Sequence, residues 1–191
     1  EMLTRDWSSD VCSSDLLHSA KVLAGWGAAL PSSVTLVVAV SPAVEQVPVE
    51  CWHQLLGRAD IVTMNVREAA ALTAILAKYE SGLSIRTLMK PEAALVRRTG
   101  RMGCEVQLGR GELRLQIPPF ETHIADTAGV GDTHIATMCA QLLRGKDLEE
   151  ACLMANAGAA IAISHESALP VPALDQINHV LETGSATGII C

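Results

Sequence analysis

The run Asp126-Thr-Ala-Gly-Val-Gly-Asp132-Thr-His134 puts two glycines and an acidic residue where a long helical pattern begins. Backbone N–H groups at a helix start have no partner within the helix, and the helix dipole adds partial positive charge there. A phosphate, or an anion developing during a reaction, is the natural guest of such a turn. Asp132, held beside that guest, can take a proton from an attacking hydroxyl. Transfer of a phosphoryl group from a nucleotide to an alcohol needs both parts in one place, because that chemistry rests on positioning and charge stabilisation. No Gly-Lys-Ser/Thr follows the glycines, which excludes a Walker A loop. A dinucleotide fingerprint is excluded as well, since it needs three glycines directly after a strand.

Other residues with chemical potential lie on both sides of this turn. Asn65 sits just past an apolar run, with Glu68 one helical turn on. As a pair they can offer a carboxylate and an amide to a ligand, or serve only as a cap and a solvated acid. Arg98-Thr99-Gly100-Arg101-Met102-Gly103 links two strand-like runs and is either a ligand-contacting turn or an ordinary one. Asn156 falls inside a helix of small residues, where it is a ligand contact or a satisfied core amide. His123 and His134 flank the glycine turn and could form a metal site with Asp126 and Asp132. Lone histidines near a helix start are more often structural. Arg97 and Arg98 could steer phosphate, although charged pairs usually lie on a solvated face.

The elements that must position these groups follow from composition and periodicity. The chain has 191 residues, enough for one domain or for one and a fraction. Its 49% hydrophobic and 18% charged content is globular, and the 3% aromatic content demands an aliphatic core. A net charge of −7 argues against nucleic acid and against anionic membranes as partners. No apolar run approaches the ~20 residues of a membrane span. Cysteines stand at 12, 51, 104, 139, 152 and 191, without a C-x-x-C pair or zinc spacing, as expected for reduced thiols in a cytoplasmic protein.

Residues 1–16 lack helix or strand periodicity, and RDWSSDVCSSDL resembles a translated sequencing adapter. This segment is read as non-native, with a partial domain over 17–191 that begins in mid-gene. Beyond it, Leu17–Leu30 reads as a helix and Val34–Val40 as a strand buried on both faces. Val49–Gly57 reads as a short helix, Ala59–Thr63 as a strand and Val66–Lys78 as a strong helix. Residues 80–91 look irregular. Ala93–Arg98 is a third strand, followed by a hairpin of Cys104–Leu108 and Glu112–Ile117 across Gly109-Arg110-Gly111. Helices are expected over Asp132–Arg144, Leu148–Ile163 and Ala173–Glu182. Strands alternating with helices indicate an α/β fold with a largely parallel sheet and a hairpin at one side.

In this order the pieces resemble the ribokinase-like, PfkB-type carbohydrate kinases, over roughly Val34 to Glu182. DTAGVGDTH is similar to that family's D-T-x-G-A-G-D-x-F, with Val130 for the usual Ala and His134 for the usual Phe. The resemblance implies a three-layer α/β/α sandwich with a mainly parallel sheet, truncated at its N-terminus. It implies Asp132 as catalytic base and the N–H groups of Gly129, Val130 and Gly131 as anion hole. Thr127, Thr99, Gly103 and Asn156 would lie on the nucleotide side, Asn156 beside the adenine. Asn65-Val-Arg-Glu68 is similar to the family's N-x-x-E motif, so Asn65 and Glu68 would help to place phosphate and Mg²⁺ through water. Asp126 matches the position near which the family often binds a monovalent cation such as K⁺. After the Asn156 helix the family has a Gly-Ala pair, where this chain has Ser167-Ala168.

The expected function is therefore ATP-dependent phosphorylation of a sugar or nucleoside hydroxyl. The resemblance leaves open a homodimer of the full-length protein. Nothing in residues 17–33 resembles the sugar-contacting start of these kinases. The rival readings are a non-catalytic nucleotide-binding remnant, or pseudokinase, and an α/β enzyme that uses the turn for another phosphorylated cofactor.

Overall fold

A computed structural model describes residues 13–111, 113–166 and 171–189, and the chain divides into two compact units, residues 1–94 and 95–191. Residues 1–12 of the segment read as non-native, Glu112 of the hairpin and the Ser167-Ala168 pair lie outside the described residues.

The first unit runs through helix α1 (Ser13–Ala29), strand β1 (Val37–Ala39), a 3-10 turn at Val44–Gln46 and helix α2 (Val49–Arg58). Strand β2 (Ile61–Asn65), helix α3 (Val66–Tyr79) and the short helix α4 (Ile85–Leu88) follow. β1 and β2 are parallel, with Val37 opposite Ile61, Val38 opposite Val62 and Ala39 opposite Thr63. Ile61 through Met64 are all buried, as a parallel strand covered on both faces requires. Val62, Met64, Leu56, Leu72 and Leu76 have no exposed surface, and the Trp52 indole N–H donates to the Val44 carbonyl at 3.3 Å.

β1 is shorter than the expected Val34–Val40, because a local turn and two side chains take the backbone groups at its start. The Val34 N–H donates to the Pro31 carbonyl, and Arg58 donates to the Val34 carbonyl at 2.8 Å. Asp60 accepts the Leu36 N–H at 2.8 Å. Asp60 is a junction of charges, with Lys90 at 2.6 Å and Arg58 at 3.0 Å. Burial works against its ionisation, but the Leu36 N–H and the two cations outweigh it and hold the carboxyl below the ordinary aspartate range. Residues 80–91 are not wholly irregular. Ser84 caps α4, trading hydrogen bonds with Thr87.

The second unit holds strands β3 (Ala94–Arg98, whose first residue still belongs to the first unit), β4 (Cys104–Gln107) and β5 (Arg114–Ile117). They form an antiparallel ladder in which Val96 faces Val106, Arg97 faces Glu105 and Cys104 faces Ile117. Helices α5 (Val130–Leu143), α6 (Leu148–Ile163) and α7 (Leu174–Thr183) complete it. Small residues let α5 and α6 approach closely: a Cβ on Gly158 would stand 2.9 Å from the Thr137 hydroxyl. Met154, Ala157, Ile161, Ile177 and Val180 form the apolar cluster of α6 and α7, covered by Phe120. The aliphatic core expected from composition is what the chain builds. Cys51, Cys104 and Cys152 are buried and Cys139 half-buried, all as free thiols.

Candidate active site

The segment before α5 is pinned along its length to the elements around it. Ala186 donates to the Glu121 carbonyl at 2.8 Å, and the Thr122 hydroxyl donates to the Ala160 carbonyl at 2.7 Å. The N–H groups of Ala125 and Asp126 donate to the carbonyl of Ile163, the last residue of α6, at 2.8 and 3.2 Å. One orphan carbonyl of a helix end thus anchors the approach to the next helix. The Asp126 carboxylate accepts the Ala128 N–H at 2.9 Å and bends the chain toward Gly129.

Gly129 is the first cap of α5 and sits in the left-handed region, at φ +70° and ψ −7°. That conformation suits glycine and strains other residues. Its carbonyl accepts the Thr133 N–H at 2.8 Å, which closes the first turn. No side chain caps this helix start. The leading N–H groups, through Gly131 and Asp132, therefore have no intrahelical acceptor and remain available to an anion. Asp132 lies in this first turn and is exposed, as is Thr127, while Asp126 is half-buried.

The strand-to-strand turn is built around Gly103. The Thr99 N–H and hydroxyl both donate to the Gly103 carbonyl, at 2.8 and 3.0 Å. Gly103 adopts φ +81°, and a Cβ there would stand 2.2 Å from the Ile117 carbonyl oxygen. Thr99 and Gly103 thus have an evident structural duty in the turn.

Asn65 and Glu68 form a reciprocal cap on α3 in the first unit. The Glu68 N–H donates to the Asn65 side-chain oxygen at 2.9 Å, and the Asn65 N–H donates to the Glu68 carboxylate at 2.7 Å. Glu68 is 6% exposed, an unusual burial for a carboxylate and one that fixes its position.

Asn156 is used inside the protein. Its amide donates to the carbonyls of Ile117 and Pro118 at 3.2 and 2.9 Å, and its oxygen meets His134 Nε2 at 3.2 Å. With both amide hydrogens committed, the oxygen must accept, which makes Nε2 the protonated nitrogen of His134. Both side chains are buried, so His134 occupies the packed-aromatic position and ties α5 to α6. Of the two readings the sequence left open for Asn156, these contacts match the core amide. Cys104 and Cys152 pack beside this pair. Contacts with Cys152 and with the neighbouring His134 together outweigh burial and lower the Cys104 thiol, and the contact between the two thiols pushes Cys152 up.

Among the described residues no three His, Cys, Asp or Glu side chains are grouped to hold a metal, so the histidines flanking the turn do not form a metal site there. Arg97 pairs with Glu105 at 2.6 Å across the strands. Arg98 behaves differently: its Nη1 donates to the Gly131 carbonyl at 3.1 Å, at the glycine turn itself. Strand alternation was the available signal, because it sets Arg98 on the same face as buried Val96.

Comparison with known proteins gives a family and a fold. Residues 11–174 match the family described as pfkB family carbohydrate kinase. A bifunctional protein HldE of Aeromonas hydrophila is 32% identical over 135 residues, 68% of this chain and 28% of the relative. The fold is that of a nucleoside kinase of the ribokinase family from Methanocaldococcus jannaschii, with a TM-score of 0.73, 18% identity and coverage of 85% of this chain and 53% of that one. A ribokinase from Arabidopsis thaliana, solved with ribose and ATP, gives a TM-score of 0.63 at 22% identity, over 90% of this chain and 53% of that one. The chain thus spans about half the length of these solved kinases and about 28% of the HldE relatives. Among the described residues no helix is long and apolar enough to cross a membrane. With a family match over most of its length and the ribokinase-like α/β fold, this chain belongs to the pfkB family of carbohydrate kinases.

Proposed function

We propose that the chain carries the nucleotide-side and catalytic part of an ATP-dependent phosphotransferase acting on the hydroxyl of a sugar or nucleoside. The observation that carries this reading is the exposed Asp132 in the first turn of the uncapped helix α5, directly after left-handed Gly129. The N–H groups of Gly129, Val130 and Gly131 would stabilise charge on the transferred phosphoryl group, and Asp132 would take the proton from the attacking hydroxyl. Thr127, Thr99 and Gly103 would border the nucleotide.

Bound with the nucleotide, Mg²⁺ would neutralise phosphate charge. By the resemblance to the family's N-x-x-E motif, Asn65 and Glu68 would act on it indirectly, through water. A monovalent cation such as K⁺ beside Asp126 would rely mainly on backbone carbonyls for its other ligands. Solved kinases of this fold were crystallised with ribose and ATP, or with inosine, which supports the choice of acceptors to try. Use of ATP by a protein with free thiols fits a cytoplasmic setting.

The test is ADP release from ATP and Mg²⁺ in the presence of ribose, ketoses or inosine. Hydroxyl-dependent release that vanishes in Asp132→Asn is the expected result. Nucleotide binding without such release would instead favour a non-catalytic nucleotide-binding module.

A further inference from the structure

The two glycines of the α5 turn are glycines for different reasons. Gly129 needs its left-handed φ of +70°, whereas Gly131 is not among the residues of positive φ. What a side chain at Gly131 would have to displace is the tip of Arg98. A Cβ there would lie 2.8 Å from Arg98 Nη1 and 3.6 Å from its Cζ. The same Nη1 donates to the Gly131 carbonyl at 3.1 Å. The guanidinium, reaching from the end of β3, occupies the space a Cβ at residue 131 would fill.

That contact bears on the chemistry through peptide planarity. The Gly131 carbonyl and the Asp132 N–H belong to one rigid plane, so holding the oxygen fixes the direction of the N–H and the Cα of Asp132. We propose that Arg98 is a positioning residue, which locks the Gly131–Asp132 peptide so that the turn's amides and Asp132 face the terminal phosphate. Gly131 is the complementary half of that lock. This inference rests on the kinase reading, and it assigns the second glycine a role that backbone conformation does not explain.

The test is a double-mutant cycle with Arg98→Met and Gly131→Ala, read as MgATP and MgADP affinities of the full chain by calorimetry, with thermal melting alongside. The wild type should prefer MgATP, because the lock serves the phosphate that ADP lacks. Each single variant should lose about tenfold in MgATP affinity, the scale of one charge-assisted hydrogen bond, with MgADP changed much less. The double variant should be no worse than Arg98→Met, since the new Cβ then has no guanidinium to displace. Arg98→Lys, which keeps a charged donor, should recover part of the preference. Should Arg98→Met not fold, Gly131→Ala decides, and retention of the preference there would overturn the lock. Equal losses for both nucleotides, additive losses, or a wild type that binds both equally would also overturn it. A wild type that binds neither nucleotide would overturn the kinase reading together with the lock.

Discussion

At the scale of single residues, the candidate chemistry converges on Asp132, exposed in a helix start that no side chain caps. In any assay where the chain turns over ATP, Asp132→Asn should lower kcat by about 10²-fold or more, with the KM for ATP within a few-fold of wild type. Steady-state kinetics check this, and near-normal kcat would remove Asp132 from its role. Gly103 makes a separate claim about stability. Gly103→Ala must accommodate φ +81° and a Cβ 2.2 Å from the Ile117 carbonyl. It should cost about 3 kcal/mol, seen as a lower midpoint in urea unfolding, and a loss under about 1 kcal/mol would contradict the turn geometry. The setting of Asp132 and Gly129 was legible in the sequence because it is local, a glycine turn meeting a helix. The internal contacts of Asn156 and Arg98 were not. Their partners, the Ile117 and Pro118 carbonyls and the Gly131 carbonyl, lie 33 to 39 residues away, beyond what spacing shows.

At the scale of elements, periodicity located nearly every helix and strand, and errors fell where side chains compete for the backbone. β1 loses its first residues because Arg58 and Asp60 take the groups a strand would use. α4 escaped notice because a single Ser84–Thr87 cap nucleates one turn without an apolar stripe. Asp60 links these elements and gives them a pH dependence. Its folded carboxyl titrates below its unfolded value, so its stabilisation is complete above about pH 4 and disappears as pH falls through the lower folded value. Asp60→Asn should therefore destabilise the chain at pH 7 by about 1–3 kcal/mol and flatten the acid limb of the stability curve. Thermal melts from pH 7 to pH 3 check this, and parallel curves for both proteins would contradict it.

At the scale of the whole molecule, the family was legible because its motifs are short strings in a fixed order: N-x-x-E from the end of β2 into α3, the turn after β3 and the glycine turn before α5. The hydroxyl acceptor was not, because an acceptor pocket is assembled from side chains far apart in sequence. Membership of the pfkB family and the α/β fold make nucleotide binding the property on which every other functional claim depends. Calorimetric titration of the chain with ATP, with and without Mg²⁺, tests it most directly, with Asp132→Ala as a control for folding. Saturable binding that requires Mg²⁺, and survives in Asp132→Ala, is the predicted result. A chain that circular dichroism shows to be folded, yet gives no heat with MgATP, would contradict the account.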